Sequence, residues 1–205
     1  MLPLIHFIDK PRFTIGIWKI KDHEYNANFS KVLHPNYHDN IQSYKNLKRR
    51  WQIHASKLLF EQLSPGKNLI LENKKPKISN SNHHVSIAHT KDIIAMIIAK
   101  FPCGIDIEDS ERDPSKIQHK FLNKDDFTAG ESSRNLLKNW CAKEVLFKIN
   151  GDKSVLFSNH LVVKKNGSLF SGYCNHPKFK FTSNIKIFNF ENYCLAFNTN
   201  YKELT

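Results

Sequence analysis

Two short runs in the chain carry residue types suited to metal and phosphate chemistry. Residues 104–108 read Gly-Ile-Asp-Ile-Glu. In an extended strand side chains alternate between faces, so Asp106 and Glu108 share one face while Ile105 and Ile107 share the other. Carboxylates two residues apart are separated by roughly 7 Å along a strand and can grip one cation from the same side. Gly104 leaves room for a close approach. Hard oxygen ligands of this kind favour magnesium, which keeps waters and substrate phosphates among its ligands. A lone D-x-E is more often the solvated face of an edge strand, so this run needs support from elsewhere.

The second run is residues 140–148, Trp-Cys-Ala-Lys-Glu-Val-Leu-Phe-Lys. On a helix Glu144 and Lys148 are one turn apart and therefore neighbours. Glu144 can serve as a third carboxylate ligand or as a general base, and Lys148 as a phosphate contact. Trp140 and Phe147 are expected to face the core. Alone, this would read as an ordinary surface Glu–Lys pair. A third stretch, residues 85–90 (Val-Ser-Ile-Ala-His-Thr), follows Lys74-Lys75-Pro76. A strand ending in His89 and Thr90 can turn an imidazole, a hydroxyl and backbone N–H groups toward phosphate oxygens. With 11 histidines in the chain, His89 says little by itself.

These runs must be positioned by regular elements. Tyr44, Leu47, Trp51, Ala55, Leu58, Leu59 and Leu63 recur at helical spacing and predict a helix over residues 41–63, stopped by Ser64-Pro65-Gly66. A second long helix is expected from about residue 131 to 149, ending at Asn150-Gly151. Strands are expected at 13–20, 85–88, 93–99, 104–108, 161–165, 169–173, 185–190 and 193–197, with Asn166-Gly167 turning a hairpin. Residues 73–82 read as a polar, lysine-bearing loop, and Asp113-Pro114 as a helix start. The expected class is α+β in two similar lobes, each a small sheet packed on a long helix. A soft boundary near residue 100 gives an N-terminal lobe of 1–100 and a C-terminal lobe of 101–205.

Composition narrows the function classes. The 205 residues are 40% hydrophobic, with 15 Phe and 3 Trp, which excludes a disordered chain and allows a full core. No apolar run approaches the roughly 20 residues of a membrane span. The N-terminus lacks the basic and long apolar regions of a signal peptide. Four cysteines without a C-x-x-C pair argue for reduced, buried thiols and against structural zinc, so a cytoplasmic location is expected. The formal charge of +12 is unevenly spread: residues 1–103 hold 16 Lys/Arg against 7 Asp/Glu, whereas seven acids crowd between Asp106 and Asp126. A basic half beside a short acidic cluster suggests a polyanionic ligand next to a bound cation.

The order and spacing of these runs resemble the 4'-phosphopantetheinyl transferase superfamily, specifically the longer monomeric type that activates peptide and polyketide synthases. Its pattern runs G-K-P, a strand with S-H-S, G-[IV]-D-[IV]-E, then W-x-x-K-E-[AS]-x-x-K. The matching residues are Lys75-Pro76, His89-Thr90, 104–108 and 140–148. The resemblance implies a pseudo-twofold fold and a magnesium-dependent enzyme. It would transfer the phosphopantetheine arm of coenzyme A to a serine of an acidic acyl or peptidyl carrier protein and release 3',5'-ADP. Under that resemblance Asp106, Glu108 and Glu144 hold the metal, and either Glu144 or a metal-bound water deprotonates the serine. Lys148 contacts the pyrophosphate, His89 and Thr90 the coenzyme A phosphates, and Lys75 the adenine and ribose phosphate. Lys143 is a lesser candidate for substrate contact. Lys116, Lys120 and Phe121 are candidates for docking the carrier.

Departures are visible too. Lys74 replaces the family glycine, and Ala88 and Thr90 replace the serines around His89. The family arginine for the 3'-phosphate falls near Ser56, so Lys57 or the cluster Lys48-Arg49-Arg50 is expected to substitute. Two rival classes fit less well. A metal-dependent nuclease wants E-x-K on a strand, but Glu108 is followed by Asp109-Ser110. A basic nucleic-acid binder leaves the alternating Asp106 and Glu108 unexplained. Neither nucleic acid nor a membrane is expected as a partner.

Overall fold

The computed structural model describes residues 4–20, 45–73, 75–127 and 132–204. Its strands in chain order are β1 (Leu4–Lys10), β2 (Phe13–Lys19), β3 (Leu69–Glu72), β4 (Lys75–Ile78), β5 (His84–Thr90) and β6 (Ile93–Ala99), followed by β7 (Ile105–Asp109), β8 (Leu161–Asn166), β9 (Leu169–His176), β10 (Phe179–Phe190), β11 (Tyr193–Asn198) and β12 (Lys202–Leu204). Its helices are α1 (Leu47–Leu63), α2 (Gln118–Phe121), α3 (Ser133–Asn150) and α4 (Phe157–His160). The protein is mixed α+β. One sheet has the order β1-β2-β6-β5 and the other β7-β11-β10-β9-β8, with β12 also pairing β10; β3 and β4 form a separate hairpin.

Side-chain alternation explains how the layers stack. On β6, Ile93, Ala95 and Ile97 enter one core with Ile105 and Ile107 of β7 and Tyr193, Leu195 and Phe197 of β11. The intervening Ile94, Met96 and Ile98 turn the other way and meet Trp51, Ala55, Leu59 and Phe60 of α1. Likewise Cys194 and Ala196 of β11 turn away from the central core and meet Leu137, Cys141, Val145 and Leu146 of α3. The order is therefore α1, first sheet, second sheet, α3. Because β6 is covered on both faces, its sequence can be apolar at every position. Buried polar ties also join the sheets: the Ile105 N–H donates to Ser86 Oγ at 3.2 Å, and the Tyr193 hydroxyl to Asp92 at 2.9 Å.

Both long helices begin at a side-chain cap. Asn46 accepts from the Arg49 N–H ahead of α1, and Ser132 from the Asn135 N–H ahead of α3. Gly151, at φ +67°, ends α3 in the left-handed region that glycine tolerates. The helix expected from residue 41 begins only at Leu47, because Asn46 is extended and caps it; residues 41–44 and 131 lie outside the described residues.

Three local expectations need correction. Residues 75–78 form β4, paired with β3, so the lysine-bearing stretch is part of a hairpin. Asp113 accepts from the Ser115 N–H at 3.0 Å and from the Ser115 hydroxyl at 2.9 Å, and Pro114 leads into a single 3-10 turn before the four-residue α2. Strand β5 runs on through Thr90, which makes His89 a strand residue paired opposite Ile94. All four cysteines are free and buried. Among the described residues no helix is long and apolar enough to cross a membrane.

Candidate functional site

The site forms where β7 lies against α3. Gly104 sets their separation, since a Cβ there would stand 2.2 Å from the Val145 carbonyl oxygen. Any side chain would push the strand off the helix backbone. Ile105 and Ile107 face the central core, so alternation turns Asp106 and Glu108 toward α3. From that helix, Lys148 Nζ donates to Asp106 Oδ1 at 2.8 Å and to the Ile105 carbonyl at 2.9 Å.

Asp106 is 5% exposed, and its second oxygen, Oδ2, is buried with no nitrogen or oxygen donor, leaving the weak Cys141 thiol as the carboxylate's other neighbour. Burial pushes its carboxyl above the usual range, against the pull of Lys148. Glu108 is better satisfied. Its Oε1 accepts from Trp140 Nε1 at 3.0 Å and pairs with the Arg112 guanidinium, which also lies 5.1 Å from the centre of the Trp140 ring. Trp140 thus does more than fill the core.

Glu144 is half-buried on the same side of α3. Burial first, then the negative charges of Asp106 and Glu108, push its carboxyl up to about 7, opposed by Lys148 and Arg112. The three acids expected from the sequence therefore belong to one electrostatically coupled cluster. In the arrangement described, two cations of the chain occupy it. Among the described residues no group of three His, Cys, Asp or Glu side chains is disposed to hold a metal ion.

The first sheet contributes the other wall. His89 Nε2 contacts the Arg49 guanidinium from the start of α1. Its ring keeps a solvent-exposed edge, yet desolvation, then Arg49 and Lys148, hold its imidazole down to about 4, with Glu108 acting weakly in the opposite sense. His89 is therefore neutral at pH 7 and lies within electrostatic reach of both Lys148 and Glu108. Lys75, exposed on β4, bonds to the Asn150 carbonyl at the end of α3, and its side chain lies over Gly151. Thr90 is half-buried beside His89, and Lys57 is half-buried on α1 with its ammonium pulled down by burial. Of the basic cluster 48–50, Arg49 is the residue that meets His89. That contact crosses 40 residues of chain, and no local pattern announces it.

Two expected site residues belong to the interior instead. Lys143 is fully buried. Its Nζ pairs with Asp126 Oδ2 at 2.6 Å and donates to the carbonyls of Phe121 at 2.5 Å and Phe157 at 3.2 Å. With its donors engaged and no exposed surface, it cannot touch a soluble substrate. Phe121 is 1% exposed and packs edge-on against Trp140 at 5.2 Å, so it is no docking residue, whereas Lys116 and Lys120 are exposed. Compared with known proteins, the chain matches no family model and no curated protein.

Proposed function

We propose that this protein is a 4'-phosphopantetheinyl transferase: it moves the phosphopantetheine arm of coenzyme A onto a serine of an acidic carrier protein and releases 3',5'-ADP. The observation that carries the reading is at the contact of β7 with α3, where Lys148 pairs with the buried Asp106 and the half-buried Glu108 and Glu144 stand within electrostatic reach. The α1, sheet, sheet, α3 arrangement supports the two-lobed, pseudo-twofold version of that fold. Val145 stands where the resembled motif has a small residue, and its backbone is the surface that Gly104 accommodates.

Asp106, Glu108 and Glu144 supply the oxygen-donor chemistry that a hard divalent cation takes, although in the described arrangement Lys148 and Arg112 hold the first two. Asp106 keeps a buried oxygen with no nitrogen or oxygen donor, and Glu144 carries a carboxyl whose ionisation burial and then its acidic neighbours resist. Asp106, Glu108 and Glu144 are the residues that would hold magnesium, which when bound supplies positive charge to the pyrophosphate. The remaining work falls to the chain's own side chains. Glu144, poised near neutrality, is suited to take the proton of the attacking serine hydroxyl. Lys148 is suited to neutralise charge on the leaving 3',5'-ADP. Arg49 and His89 offer donors for the other coenzyme A phosphates, with Arg49 standing in for the family arginine missing at Ser56. Lys75 and the exposed Lys116 and Lys120 extend the basic face toward cofactor and carrier. Intact-mass analysis of an apo carrier incubated with enzyme, coenzyme A and magnesium tests the reading. A gain of one phosphopantetheine is expected. No gain across fatty-acid, polyketide and peptide carriers would overturn it.

A further inference from the structure

A second basic site lies at the opposite end of the first sheet. His89 and Ile94 sit at one end of the β5–β6 ladder, and His84 and Ala99 at the other. Five residues of strand separate the two ends, about 17 Å at 3.4 Å per residue. At the far end a cavity of about 230 Å³ opens between the β1–β2 turn, the end of α1 and the loop before β5. Lys10, Arg12, Lys67 and Lys100 line it, and no carboxylate among the described residues does.

None of these four cations forms an ion pair among the described residues, although six ion pairs occur there. The acids nearby in sequence are engaged locally: Asp9 accepts from the Thr14 hydroxyl at 2.8 Å, and Glu61 from the Gly66 N–H at 3.3 Å. The wall is also organised. The Lys100 N–H donates to the Arg12 carbonyl at 3.0 Å, and the Arg12 guanidinium lies over the Phe101 ring at 5.1 Å. Ser81 Oγ, which also lines the cavity, accepts from the His83 N–H at 3.1 Å. Leu63, Ile78 and Ile98 supply an apolar floor. The end of α1 brings a partial negative charge of about half a unit, far less than four lysine and arginine charges.

We infer that this cavity binds a phosphate-bearing small molecule at a site separate from the Asp106–Lys148 cluster. Four cations that line one cavity and form no ion pair among the described residues raise the local concentration of anions. Arginine and lysine together with hydroxyl donors match phosphate oxygens. The volume exceeds several times the roughly 30 Å³ share of one water, enough for a phosphoryl group and an attached apolar portion on the floor. The inference does not depend on the transferase reading, because it uses none of that site's residues.

The test is a backbone amide NMR titration of the full chain with inorganic phosphate and, separately, with ADP, using sodium chloride at matched ionic strength as reference. Saturable shifts at Thr14, Ser81, His83 and Lys100 are expected with at least one phosphate probe and not with chloride. Arg12→Ser with Lys100→Ser should weaken that binding at least tenfold, while any shifts around His89 persist. Both positions are exposed, so the fold should survive, and the unchanged spectrum elsewhere reports it. A tighter response to ADP than to phosphate would assign the floor to the organic portion; the reverse would assign the site to the free anion. Shifts confined to the His89 end, shifts equal in chloride, or undiminished binding in the double variant would overturn the inference.

Discussion

The two long helices pack on their sheets in the same way but bury different chemistry. α1 presents Trp51, Ala55, Leu59 and Phe60 to its sheet, an apolar contact with a few small or neutral polar residues beside it. α3 buries a comparable apolar face and also carries Lys143 into the interior and Glu144 and Lys148 to its edge. Each contact is made close by a glycine. A Cβ on Gly16 would meet only side-chain tips of Leu59 and Leu63, whereas one on Gly104 would meet helix backbone. Similar packing thus gives a plain core in one half and a charged seam in the other. The seam exists because β7 brings two carboxylates to the helix-facing side.

That contrast can be broken at several points. Lys143→Met should have the largest effect on stability, a loss of about 3–5 kcal/mol, because Asp126 would remain buried without its counter-charge. Denaturant unfolding measures it. Gly104→Ala should cost about 3 kcal/mol and displace β7, whereas Gly16→Ala should cost about 1 kcal/mol, since leucine tips can move and backbone cannot. Equal costs would show that the two contacts are alike after all.

Glu144→Gln should act in the opposite direction. Its carboxyl rises from 4.5 to about 7 on folding, so the native state holds that proton more tightly than the unfolded chain. Stability is therefore lost as pH rises from about 4.5 to 7, and the glutamine variant escapes the loss. The apo protein should gain about 2–3 kcal/mol at pH 8 and nothing at pH 4, read from unfolding curves at both values.

How legible this was in the sequence depends on the range of each interaction. Alternation around Ile105 and Ile107 was enough to orient Asp106 and Glu108, and helical spacing enough to make Glu144 and Lys148 neighbours. Local charge pattern misled at Lys143, which sits beside Glu144 in sequence but one step around the helix, where Phe121, Asp126 and Phe157 close over it. The β3–β4 hairpin was hidden because its strands carry lysines and a proline and are largely exposed. β1 gave no distinct signal ahead of the turn that pairs it with β2. The contacts of Arg112 with Glu108 and of Arg49 with His89 depend on turn geometry and on strand and helix placement, which residue types alone do not supply.

The central claim is that Asp106, Glu108 and Glu144 form one cation-dependent site for a pyrophosphate. Calorimetric binding of coenzyme A, with and without magnesium, to the native protein and to Asp106→Ala tests it most directly. Magnesium should tighten binding to the native protein at least tenfold and have no effect on the variant. Affinity measured without the metal should stay within about threefold between the two, the spread allowed for a residue that contacts the ligand only through an ion. Undiminished magnesium enhancement in Asp106→Ala would contradict it.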